Sequence, residues 1–167
     1  LHIHIFVPTH LDAARTIADQ CLCFRARRTA RLITRLYDDA LRPLGLQPTQ
    51  LTLLSAITLL ARRHGGPVPL GVVADTLALD VTTLSRNVRA LEKAGHVRLV
   101  SDAADRRVRL TSLTPTGERM LAKAAPLWAE AHARIVEALG ATQATNLQHA
   151  LDAAAQVAMG ELEVSAA

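Results

Sequence analysis

The stretch from residue 70 to residue 113 restricts the fold most. Apolar residues at helical spacing predict a short helix over 70–77, and the tight turn LALD follows it. Asp80 stands where a helix needs an N-cap, and the next helix is predicted over 81–94. Gly95 ends that helix as a left-handed C-terminal cap. Two runs with alternating side chains, HVRLVS and RRVRLTSL, flank the polar turn DAAD and predict a β-hairpin. Two short helices across a tight turn, backed by a hairpin, make a winged helix-turn-helix. The predicted fold class is therefore mainly α with a small β-hairpin wing.

The flanks are longer than this module needs for its own core. Leu22, Ala26, Ala30, Ile33, Leu36, Tyr37 and Leu41 predict a helix over 21–41, ended by Pro43 and Gly45. A second helix over 48–63 opens on Pro48 and carries Leu51, Leu54, Ile57, Thr58 and Leu60 as a stripe. HGGPVP reads as a loop. Thr114 and Pro115 start a helix that runs to Leu139, bends at Pro126 and closes at Gly140. Thr142 caps a last helix reaching about Met159. Half of the 167 residues are apolar but only 2% are aromatic, so Ala, Leu and Val must fill the interior, which favours closely packed helices. Long helices with nothing of their own to cover call for a second copy, so a homodimer is expected. The division expected is a leader or flexible arm over 1–18, an N-terminal dimerisation helix over 19–47 and a winged region over 48–113. C-terminal dimerisation helices over 114–160 and a tail over 161–167 complete it.

On a helical wheel, Val81, Leu84, Val88 and Leu91 fall on one side of the 81–94 helix. Thr82, Arg86, Arg89, Ala90 and Lys93 fall opposite, with Thr83 and Ser85 on the flanks. A helix lying in a major groove needs this layout. One side packs on its domain, and the other offers guanidinium groups and hydroxyls to base edges and phosphates. Arg86, mid-helix and central on the outer face, is the expected base contact, and Lys93 suits a phosphate. On the wing, Arg106 and Arg107 can reach a minor groove, while Asp102 and Asp105 are expected to hold the turn. The formal net charge of +4 permits a polyanionic partner and would equally fit a membrane surface.

Other classes find less support. No apolar run approaches the roughly 20 residues of a spanning helix, and the start lacks the pattern of a signal peptide. A cytoplasmic protein without membrane attachment is expected. Cys21 and Cys23 are poorly placed to bridge each other. His2 and His4 form a metal pair only by identity, and no metal or cofactor is expected. The sequence has no Gly-rich phosphate loop and no nucleophile elbow, so an enzyme is not expected.

These residues resemble a known family. LGLQPTQLTLL, then TTLSR, LEKAG, DRR and LTPTG in order, are similar to the MarR family of winged-helix regulators over about 21–151. The resemblance implies a triangular homodimer on a pseudo-palindromic double-stranded operator, most often as a repressor. Carried over position by position, it places Thr82, Thr83, Ser85, Arg86 and Arg89 on the recognition helix and Arg106 on the wing. Many members have Arg where this chain has Ala104. The family also implies release of DNA by a small-molecule effector held between dimer helices and winged domain, in a pocket here formed by Leu36, Leu54, Thr58 and Trp128. The alternative is a thiol sensor. DQCLCF resembles the peroxide sensors of the family, with Cys23 at the reactive position, although Arg27 stands where they carry Tyr.

Overall fold

The structure is a computed structural model that describes residues 9–166, with side chains described as far as residue 161. His2 and His4 lie outside the described residues. The order is α1 (His10–Gln20), α2 (Leu22–Leu41), a single 3-10 turn (Arg42–Leu44), α3 (Pro48–His64), β1 (Val68–Pro69), α4 (Leu70–Thr76) and α5 (Val81–Lys93). There follow β2 (Val97–Ser101), β3 (Arg109–Leu113), α6 (Pro115–Leu139) and α7 (Ala141–Ala166).

The core lies mostly in the winged module, joined by Leu41 at the end of α2 and Ala124 on α6. Leu41, Leu53, Leu54, Ile57, Val68, Val73, Leu84, Val88 and Leu91 are each at most 1% exposed. The sheet order is β1-β3-β2, all antiparallel. β2 and β3 pair from Val97 opposite Leu113 to Ser101 opposite Arg109. The expected loop before α4 contains a strand instead. Val68 is fully buried and pairs with Thr111, closing the free edge of β3. The turn between α4 and α5 is tight enough to hold Ala78 at φ 49°, an uncommon conformation for a residue with a Cβ.

Both ends of the chain depart from expectation. The segment expected to be a loose leader is helical from His10. Thr9 and Asp12 form a reciprocal capping box: the Thr9 hydroxyl accepts from the Asp12 amide at 3.2 Å, and the Asp12 carboxylate accepts from the Thr9 amide at 3.1 Å. At the other end α7 begins at Ala141, so Thr142 lies inside its first turn and is not its cap. It also continues through Gly160 into the expected tail, because Gly alone weakens a helix without stopping it.

The terminal helices carry little core. α2 packs on α6, yet Leu22, Phe24, Leu32 and Leu36 on α2 remain exposed. On α7, Leu147, Leu151, Val157 and Met159 are exposed as well. Among the described residues, no single helix is long and apolar enough to cross a membrane.

Where α6 begins, the chain is held tightly. Thr114 caps α6 by accepting from the Gly117 amide at 3.1 Å, and its hydroxyl donates to the Gly95 carbonyl at 2.6 Å. The Thr114 amide donates to the His96 carbonyl at 3.0 Å. A Cβ on Gly117 would sit 2.0 Å from that same carbonyl oxygen, so only glycine fits there. The conformation of the LTPTG stretch is thereby accounted for residue by residue.

Candidate nucleic-acid interface

α5 is built to present one face and bury the other. Its N-cap, Asp80, accepts from the Thr83 amide at 2.8 Å. Hydrogen bonds from Thr83 lower the Asp80 pKa and keep it an anion where the helix dipole favours one. Leu84, Val88 and Leu91 lie in the core. Thr82, Thr83, Arg86, Arg89 and Lys93 are exposed, and Ser85 is half-buried. No hydrogen bond or ion pair engages the side chains of Arg86, Arg89 or Lys93 among the described residues. Val81 departs from expectation. Its spacing belongs to the buried stripe, but it is 62% exposed. The core stops at Leu84, so the first turn of α5 stands clear of it. Val81 therefore joins Thr82, Ser85, Arg86 and Arg89 around one shallow depression of about 480 Å³.

The wing sorts its charges. Asp102 accepts from the Ala104 amide at 2.7 Å and so holds the turn. Asp105 accepts from the Arg107 amide at 3.0 Å and from Nε and Nη2 of Arg107 at 3.1 and 3.0 Å. This fork lowers the Asp105 pKa and raises that of Arg107. Arg107 is thus turned back on its own loop. Arg106, at the same tip, is exposed with no such partner among the described residues.

The residues expected to line one pocket do not meet. Trp128 borders a cavity of about 650 Å³ between α2, α3 and α6, together with Tyr37, Ser55, Leu59 and Arg63. Leu54 is buried in the core, and Thr58 donates its hydroxyl to the Leu54 carbonyl at 2.8 Å. Leu36 borders a separate apolar hollow of about 410 Å³ with Ile33, Ile135 and Leu147. The 3.6-residue period put Leu54 and Thr58 on the right helix but not on its cavity side. A second group went unforeseen. Tyr37 Oη and His132 Nδ1 lie 3.2 Å apart, and the Trp128 ring stacks on His132 at 4.9 Å. Burial raises the Tyr37 pKa. The partners are 95 residues apart in sequence, so no local pattern could announce them.

Cys21 and Cys23 are free thiols at the break between α1 and α2. Cys21 is the N-cap of α2, its Sγ accepting from the Phe24 amide at 3.4 Å, and Cys23 is exposed in the first turn. Among the described residues no group of His, Cys, Asp or Glu is placed to hold a metal ion.

The sequence profile of the MarR family matches residues 44–108, from the end of the 3-10 turn to the wing. The fold is similar to that of the M. tuberculosis transcriptional regulator MosR, at 30% identity and a TM-score of 0.72, over 85% of this chain and 98% of MosR. A structure of MosR in complex with DNA matches at 33% identity and a TM-score of 0.65, over 81% of this chain and 98% of that one. A MarR variant from E. coli, in complex with operator DNA, shares the fold at 21% identity and a TM-score of 0.73, over 83% of this chain and 96% of the other. No curated protein sequence matches the chain. The family profile covers the winged module and the MosR likeness covers nearly the whole fold, so the chain belongs to the MarR family of transcription regulators.

Proposed function

We propose that this chain is a sequence-specific double-stranded DNA-binding regulator that acts as a homodimer on a pseudo-palindromic operator. The observation that carries the reading is the outer face of α5. Arg86 and Arg89 stand exposed, unpaired among the described residues, beside Thr82, Thr83 and Ser85 and above a buried Leu84–Val88–Leu91 stripe. Unpaired guanidinium groups on a rigid helix suit base edges, and the flanking hydroxyls suit phosphates. DNA in the similar structures of MosR and E. coli MarR supports the same reading. Two copies would set their α5 helices in successive major grooves, with half-sites about 10 base pairs apart. Arg106 serves the minor groove, and Lys93 a phosphate. Arg107 takes the lesser part, since Asp105 already holds it. A cytoplasmic place belongs to the same proposal. The direct test is binding to a random duplex pool at rising salt. Affinity that falls steeply with salt supports the reading, and salt-independent or undetectable binding overturns it.

Repression relieved by a small molecule is the mode of control proposed. The cavity beside Trp128 favours it, since it lies between the dimer helices α2 and α6 and the α3 helix of the winged module. A ligand there would bias how the two parts sit. The thiol alternative rests on exposed Cys23 in the first turn of α2. Organic peroxide should then release DNA from the wild type but not from Cys23→Ser. Equal release from both removes Cys23 as the sensor.

A further inference from the structure

The exposed Val81 takes no part in the core cluster of the described residues. It stands three residues before Leu84 and seven before Val88, on the spacing of the buried stripe, yet 62% of it is open. Val is a poor helix former, so propensity does not explain it at the first position of α5. Its neighbours around the same depression are Thr82, Ser85, Arg86 and Arg89. A bare apolar side chain amid cations and hydroxyls is unsuited to a phosphate, and the Asp80 carboxylate beside it repels one. Base edges remain. In the major groove the one apolar group that a base edge offers is the 5-methyl of thymine.

We propose that Val81 reads a thymine 5-methyl group in each half-site, so that specificity at that base pair comes from apolar contact and not from hydrogen bonding. The inference rests on α5 being the DNA-reading helix. It adds a determinant that the polar pattern of the helix does not contain. N-terminal residues of such helices are the ones that meet base edges, and Val81 is the first residue of α5.

The test uses the full-length protein and the best duplex selected from a random pool. Each thymine is replaced in turn by deoxyuridine, which removes the 5-methyl and nothing else. For the wild type, one position per half-site should lose about fourfold in affinity, the factor that burying one such group is worth. V81A should bind the same duplex with no penalty for uracil at that position. V81I, which keeps the apolar contact, should retain the penalty. Circular dichroism of both variants should match the wild type, because the residue is outside the core. The proposal is overturned if the wild type is indifferent to every uracil, or if V81A keeps the wild-type penalty. If no duplex binds at all, the reading of α5 falls and this inference falls with it.

Discussion

Leu84, Val88 and Leu91 on α5 are at most 1% exposed, whereas Leu151, Val157 and Met159 on α7 are 54%, 67% and 48% exposed. Both helices come from the same Ala- and Leu-rich sequence, but they dispose of their apolar side chains in opposite ways. The winged module consumes its own hydrophobic surface and leaves cations outside. The terminal helices leave hydrophobic surface outside and have almost no core. A 26-residue helix with no buried residue among those described, up to residue 161, is poorly supported by propensity alone. The contrast separates two parts of one chain: a unit that folds on itself, and a unit whose exposed apolar face suits the second copy we propose.

The comparison can be broken most directly by deleting residues 142–167. The truncated chain should sediment as a monomer and bind its duplex about a hundredfold or more weakly, because two linked reading heads gain that much by avidity. A truncated chain that stays dimeric would show that α7 does not build the interface. Next in size are changes inside the module. Leu84→Ala should cost about 2–5 kcal/mol in thermal or denaturant unfolding. Leu151→Ala should change the concentration dependence of melting instead, since its site is open in the single chain. Gly117→Ala should cost about 1–3 kcal/mol through its clash with the His96 carbonyl, read in the same unfolding experiment.

Arg86→Ala should leave folding intact, cost about 1–3 kcal/mol of duplex binding and relax preference at one base pair, measured by anisotropy on permuted duplexes. The smallest effect concerns pH. The folded pKa of Asp80 is depressed, so its contribution to stability is present above the ordinary carboxylate value and lost as pH falls through the folded value. Asp80→Ala should therefore flatten the acid limb of the stability profile, and an unchanged limb would show that the cap contributes nothing.

Much of the module was legible because its boundaries are marked by residues with one physical job. Asp80, Gly95, Thr114, Pro115 and Gly140 each stand at an element end, as their capping chemistry requires. The α1 helix was missed although its signals are local: Thr9 and Asp12 carry a capping box, and Leu11, Ala14 and Ala18 fall at helical spacing. β1 was missed because two residues set no period; only the edge of β3 makes Val68 a strand. The exposure of Val81 and the Tyr37–His132 pair depend on where the core ends and which helices cross. Neither is written in local spacing. Likewise, the bond that turns Arg107 back on Asp105 separates it from Arg106, though the two look alike in sequence.

The root of α6 has a further consequence. Hydrogen bonds from the Thr114 amide and hydroxyl reach the residues that close the end of α5, and Gly117 lets the backbones touch. Such a joint has no slack: it is a weld between the long α6 helix and the helix that we propose reads DNA. Any tilt of α6 swings α5 as a rigid pointer, so in the proposed dimer a small angular change at the two-fold axis would alter the span between the two pointers at their tips. In that dimer the register between half-sites would be geared to the pose of α6, and loosening that one joint would uncouple the two.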